Sequence, residues 1–130
     1  YYLQTLAFGW TPLLTGIALG LPAAAVLLIN NYRDLDTDRA AGRRTLCHYL
    51  GRPRARAFYA LLLVAPIPIL MLSGAPGATW PLLAALPLAG WLSLRLFRGA
   101  LGQALNTQLA RTAQYQLALT ALMILGLLIA

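Results

Sequence analysis

The three aspartates of this chain, Asp34, Asp36 and Asp38, fall within five consecutive positions of the stretch NNYRDLDTDRAAGRRTL, residues 30–46, and the chain has no glutamate. On a helix, side chains four residues apart share a face. Asn30, Asp34 and Asp38 would then form one polar stripe, with Asp36 pointing to the other side. Two carboxylates one turn apart can share a hard cation. Magnesium fits best, because it takes oxygen ligands, keeps several waters and is typically held by one or two carboxylates plus substrate phosphates. Gly42 comes one turn further along, where it can end the helix and expose backbone N–H groups to an anion. Arg43, Arg44 and Thr45 follow directly. The order is metal site, turn, anion donors.

A charged loop between two membrane spans also serves as a solvated connector whose arginines hold orientation and pair with nearby aspartates, and Arg52, Arg54 and Arg56 are read that way. The aspartates resist that reading. Acidic residues contribute little to topology, and the rest of the sequence avoids them. Ionisable groups near membrane depth tend to be functional.

The elements that must position these residues follow from composition. With 60% hydrophobic residues, 10% charged residues and a mean hydropathy of +0.70, the chain lies far from soluble-domain averages. Four stretches poor in charge, at residues 11–29, 56–73, 80–97 and 111–130, read as spans that approach the ~20 helical residues needed to cross about 30 Å of hydrocarbon. Strand-like alternation, which a barrel needs in segments of about ten residues, is absent from the sequence. The expected fold class is all-α, a polytopic transmembrane helix bundle. Pro66 and Pro68 should kink the second span, and SGAPGAT, residues 73–79, reads as a tight outer turn.

The basic residues set the expected topology. All ten are arginines, and they lie only within 33–56 and 95–111, whereas residues 1–10 and 73–79 carry no charge. By the positive-inside rule both arginine-bearing loops are cytoplasmic, and four spans then place both chain ends on the opposite side. The net charge of +7 is therefore mostly topological. No nucleic-acid partner is expected, since most of the surface is committed to the lipid bilayer. The first span is not a signal peptide, because no methionine or charged segment precedes it, and the chain reads as a piece of something longer. Cys47, the single cysteine, reads as a packed residue, and His48 has no second His or metal-ligand partner.

The spacing D-x-x-x-D-x-x-x-G of Asp34, Asp38 and Gly42 resembles the second aspartate-rich motif of the UbiA superfamily of intramembrane aromatic prenyltransferases. The fuller string NNYRDLDTDRAAGRRTL is similar to one branch, the 1,4-dihydroxy-2-naphthoate polyprenyltransferases of menaquinone synthesis. The flanking YYLQT and LNTQLARTAQYQLAL resemble that branch as well, so the likeness covers most of the chain. It implies a nine-helix family fold in which residues 1–130 are the C-terminal part of one membrane-embedded domain, with the four spans as helices six to nine. The family's earlier motif, of N-x-x-x-D-x-x-x-D type, has no counterpart here and would lie in a missing N-terminal half. The likeness further implies a bacterial plasma-membrane enzyme with its site on the cytoplasmic side. Its substrates would be a prenyl diphosphate and 1,4-dihydroxy-2-naphthoate. Asp34 and Asp38 would be the catalytic metal ligands for Mg2+, and Asn30, Arg43 and Arg44 would contact the diphosphate. Hydroxybenzoate and other acceptors belong to sister branches with the same aspartate spacing.

A weaker resemblance joins DRAAGRR to the cytoplasmic D-R-x-G-R-R gate of major-facilitator transporters. Two departures count against it: two residues separate Arg39 from Gly42 where that motif has one, and Asp34 stands where it begins with glycine.

Overall fold

The computed structural model describes residues 2–73 and 82–129. Among the described residues there are seven helices: α1 (Tyr2–Thr5), α2 (Trp10–Arg33), α3 (Leu35–Ala40), α4 (Leu46–Val64), α5 (Pro66–Leu72), α6 (Leu86–Phe97) and α7 (Gln103–Ile129). No strand occurs among the described residues. Among the described residues, three stretches are long and apolar enough to cross a membrane: Trp10–Arg33, Leu46–Leu72 and Gln103–Ile129. The chain is an integral membrane protein with a polytopic helical architecture.

The expected span at residues 11–29 falls within the first of these segments, and those at 56–73 and 111–130 overlap the other two up to Leu72 and Ile129. Each segment continues past its expected span toward the arginines, since helix formation does not stop where charge begins. The fourth apolar helix, α6, has 12 residues. At 1.5 Å per residue it covers about 18 Å, less than a bilayer core. The start of the span expected at residues 80–97 lies partly outside the described residues, as does all but the first residue of the SGAPGAT turn.

Helix α2 packs against α4, α5 and α7, and α6 packs against α4 and α7. The α2 seam is Ala18, Pro22, Ala25, Ile29 and Tyr32; that of α7 is Leu105, Gln108, Thr112, Tyr115 and Leu119. Both repeat at alternating intervals of three and four, the pattern of helices crossing at a shallow angle. Small alanines on α2 allow close backbone approach, the usual means of helix association in lipid.

Polar side chains in the α7 seam are almost all satisfied inside the bundle. Gln108 donates from Nε2 to the Leu92 carbonyl at 2.7 Å and to the Tyr59 hydroxyl at 3.1 Å. The Tyr59 and Thr112 hydroxyls lie 2.6 Å apart, and Thr112 also donates to the Gln108 carbonyl. Tyr115 donates to the carbonyl of Leu63 at 2.6 Å, in the last turn of α4, where intrahelical partners run out. These bonds join α4, α6 and α7.

Two breaks shape the second span. Pro66 separates α4 from α5, as its missing N–H demands. The other break is at Gly51, with φ 68° and ψ 165°, a conformation essentially restricted to glycine. It divides α4 into an initial turn and a longer helix that restarts at Arg52 and Pro53, with proline suited to a helix's first position.

Long-range hydrogen bonds fix which ends meet. The Thr11 hydroxyl donates to the Ser73 carbonyl at one end. At the other, Arg33 reaches Asn106 and Arg56 reaches Tyr32 and the Phe97 carbonyl. The end of α2, the start of α4, the end of α6 and the start of α7 thus converge at a single charged end.

Candidate active site at the charged end of the bundle

Asp34 is the hinge between α2 and α3, with φ −91° and ψ 7°. The single continuous helix expected through the aspartates is therefore bent at its first acid. The turn-to-turn bonds survive: Asp34 N–H donates to the Asn30 carbonyl at 3.1 Å and Asp38 N–H to the Asp34 carbonyl at 2.8 Å. Asn30, Asp34 and Asp38 remain successive turns of one path.

Arg33 organises the first half of this stripe. Its Nε and Nη2 donate to the two Asp34 carboxylate oxygens at 2.7 and 2.9 Å, Nη2 also donates to Asn30 Oδ1 at 2.9 Å, and Nη1 donates to Asn106 Oδ1 at 3.0 Å. These hydrogen bonds hold the Asp34 carboxyl below the usual carboxylate range, against an opposing push from burial and with the charge of Arg33 adding to the effect. An ionised carboxylate offers about four lone-pair sites, so the pair with Arg33 leaves acceptor capacity on Asp34.

Helix α3 ends as its glycine predicts. Gly42 has φ 74°, its N–H donates to the Arg39 carbonyl at 3.1 Å, and Arg43 N–H donates to the Asp38 carbonyl at 2.8 Å. This is a Schellman ending. One expectation is corrected by it: the N–H groups of Gly42 and Arg43 are spent on closing the helix and do not face an anion. The same turn brings Arg43 Nη1 to 3.7 Å from Asp38 Oδ1. Asp38 is more sheltered than Asp34, with side-chain exposures of 14% and 35%. Arg44 is exposed and has no side-chain partner among the described residues. Beside it, at the N-terminal end of α4, Thr45 Oγ1 and His48 Nδ1 are buried without partners among the described residues.

Asp36 lies apart from the stripe. It is 77% exposed and accepts from Arg52 Nη2 at 2.8 Å. Arg52 and Arg56 flank the buried Tyr32 ring, their guanidinium carbons 5.0 and 5.9 Å from its centroid, and Arg56 Nε donates to the Tyr32 hydroxyl at 2.8 Å. The expectation that these arginines pair with nearby aspartates holds for Arg52, which bonds Asp36, whereas Arg56 is held by Tyr32 and only Arg54 of the three is exposed and without a side-chain partner among the described residues. The Gly-Arg-Pro triplet at 51–53 was the available signal. Cys47 is buried against the Leu28 carbonyl, as a packed residue should be. No group of three or more His, Cys, Asp or Glu side chains converges among the described residues. Asp34 and Asp38 are oxygen donors, the ligand type that magnesium takes together with waters and phosphate oxygens.

Fold and site together define a membrane-embedded helical bundle with a carboxylate and arginine site at one end. The chain belongs to the UbiA prenyltransferase family, whose sequence model matches residues 1–114. It is 35% identical to the 1,4-dihydroxy-2-naphthoate octaprenyltransferase of Haemophilus influenzae over 99% of this chain and 43% of that protein. Against the protein of the same name from Escherichia coli the identity is 34%, over 98% of this chain and 42% of the relative. The human UbiA prenyltransferase domain-containing protein 1 is also 34% identical, over 100% of this chain and 38% of its own length. The chain thus spans about two fifths of the length of the curated relatives it matches. No solved structure matches it at comparable stringency.

Proposed function

We propose that these 130 residues are the C-terminal part of an aromatic prenyltransferase domain, with the spans as helices six to nine and a second aspartate motif in the N-terminal half. The full-length protein transfers a polyprenyl group from an allylic prenyl diphosphate to 1,4-dihydroxy-2-naphthoate and yields demethylmenaquinol, the reduced form of demethylmenaquinone. The allylic C–O bond breaks, pyrophosphate leaves with the electron pair, and the ring carbon bearing the carboxylate forms the new C–C bond. Loss of that carboxylate as carbon dioxide restores aromaticity. The site faces the cytoplasm of a bacterial cell, and the chain sits in the plasma membrane.

The observation that carries this reading is the placement of Asp34 and Asp38 one hydrogen-bonded turn apart, followed by a Schellman turn that brings Arg43 to Asp38, in a member of this family. Asp34 and Asp38 hold Mg2+, which when bound offsets negative charge developing on the leaving pyrophosphate. Arg33 fixes the orientation of Asp34 and keeps it ionised. Arg43 and Arg44 donate charge-assisted hydrogen bonds to the phosphates. The Asn30 side-chain oxygen Oδ1 already accepts from Arg33, so its contribution to the diphosphate is its side-chain amide N–H. Apolar helix faces on the bundle line the isoprenoid chain and exclude water.

The test is turnover by the full-length protein with prenyl diphosphates of several lengths, with and without magnesium, offering dihydroxynaphthoate and 4-hydroxybenzoate in competition. Magnesium-dependent, decarboxylating transfer to dihydroxynaphthoate is expected. Transfer to hydroxybenzoate alone would place the protein in a sister branch, and no transfer to any aromatic acceptor would overturn the reading.

A further inference from the structure

A second polar site lies on the other side of the α2–α3 hinge. A cleft of about 400 Å³, open to solvent, is lined by Arg33, Asp36, Arg52, Arg56, Leu101, Gly102 and Leu105. Three separate parts of the fold build it: the hinge, the start of the long half of α4, and the turn between α6 and α7. Arg33 is neutralised by its bidentate pair with Asp34. The two guanidiniums of Arg52 and Arg56 then stand against the one carboxylate of Asp36, a surplus of one positive charge.

The donors are partly unspent. Arg56 uses Nε on Tyr32 and has a long 3.5 Å contact from Nη1 to the Phe97 carbonyl. Arg52 uses Nη2 on Asp36, whereas its Nη1 is buried and has no partner. The bridge to Asp36 is a weak lock, because that carboxylate is largely solvated and exposed ion pairs contribute little. An incoming anion can take its place. Tyr32 holds both guanidiniums by its ring face and Arg56 by its hydroxyl as well, so less side-chain entropy is lost when they bind. On the rim, Leu101 is 58% exposed. A basic pocket with an apolar lip, at the end of three membrane-length helices, has the layout of the boundary between headgroups and acyl chains.

We propose that this cleft binds the phosphodiester headgroup of an anionic membrane lipid. The phosphate sits between Arg52 and Arg56, and the start of an acyl chain runs over Leu101. One surplus positive charge matches the single negative charge of a phosphodiester. A zwitterionic headgroup brings its ammonium toward the same arginines and is disfavoured. The proposal does not depend on the reaction assigned to the full-length protein.

The experiment uses the full-length protein that carries this sequence, in nanodiscs of phosphatidylcholine with a minor fraction of phosphatidylglycerol. Native mass spectrometry after stepwise delipidation counts the lipids retained, and inorganic phosphate is titrated in parallel as the soluble source of the same group. Phosphatidylglycerol should be retained over phosphatidylcholine. Arg52→Gln should lower that preference about tenfold, the effect of losing a hydrogen bond to a charged group. Arg52→Lys, which keeps the charge but loses the fork, should restore only part of it. Asp36→Asn removes the competing carboxylate and should strengthen retention by a few-fold, a gain that misfolding cannot imitate. Equal retention of both lipids by the wild type would overturn the proposal. So would an Asp36→Asn variant without the gain, or a cleft saturated by inorganic phosphate with no dependence on lipid.

Discussion

The two sides of the α2–α3 hinge use the same residue types to opposite ends. On one side, Asp34 and Asp38 are partly sheltered, Arg43 stands at the loose distance of 3.7 Å, and Arg44 has no partner among the described residues. On the other, Arg52 and Arg56 are held against a buried tyrosine while their carboxylate, Asp36, is mostly in water. Here one acid is fixed by Arg33 while Arg43 and Arg44 stay loose, the arrangement that the proposed cation and its anion would use. Fixed arginines with a solvated acid leave a net positive cleft. What a charged residue can do is therefore decided less by its sign than by which member of each pair is immobilised.

This contrast breaks most visibly under substitution of the acids. In the full-length enzyme, Asp34→Asn or Asp38→Asn should each lower turnover by on the order of 10²-fold or more, a loss typical of removing a group that stabilises developing charge. Asp36→Asn should cost clearly less. A smaller effect follows for the arginines of the open side: Arg43→Gln combined with Arg44→Gln should raise the apparent KM for the prenyl diphosphate by about tenfold, the scale of one charge-assisted hydrogen bond. Equal effects from Arg54→Gln would point to a diffuse field and dissolve the distinction.

On the fixed side the expected loss is in stability. Arg56→Gln strips a donor from the Tyr32 hydroxyl and the Phe97 carbonyl and should cost about 1 kcal/mol in reversible unfolding from detergent micelles, with Arg54→Gln near wild type. The smallest effect expected is on pH dependence. Because Arg33 lowers the folded-state pKa of Asp34, their pairing stabilises the fold above the ordinary carboxylate pKa. That contribution disappears as pH falls through the lowered value. In thermal melts the gap between wild type and Arg33→Gln should narrow from neutral to acidic pH without closing, because Arg33 also bonds the neutral side chains of Asn30 and Asn106.

Much of this contrast was legible in the sequence because it is local. The i, i+4 relation of Asn30, Asp34 and Asp38, the opposed Asp36 and the helix end at Gly42 are all properties of a short stretch with helical periodicity. The bend at Asp34 was not, and the closure of the Gly42 and Arg43 N–H groups was missed although a glycine-ended helix commonly spends those groups on its own carbonyls. The fixed arginines were hidden for a different reason. Arg56 meets Tyr32 across 24 residues and Phe97 across 41, pairings that no local pattern encodes. Gln108 illustrates the same limit inside the membrane, for a polar residue in a span does not announce that its partners are Tyr59 and the Leu92 carbonyl.

Orientation across the bilayer is a separate, testable consequence of the arginine distribution. With Cys47 replaced by alanine, single cysteines at positions 44 and 98 should react only with reagents that reach the cytoplasm. A cysteine at Gly77, which lies outside the described residues, should react only with external ones. External labelling at position 44 would invert the arrangement.

The central claim is that Asp34 and Asp38, and not Asp36, hold the cation that accompanies the diphosphate. Manganese, used as a paramagnetic stand-in for magnesium, tests it by electron paramagnetic resonance on the full-length protein with a non-hydrolysable prenyl diphosphate analogue. Wild type and Asp36→Asn should give the signal of protein-bound manganese, and Asp34→Asn and Asp38→Asn should lose most of it. Loss of the bound signal in Asp36→Asn, with retention in Asp34→Asn and Asp38→Asn, would contradict the account.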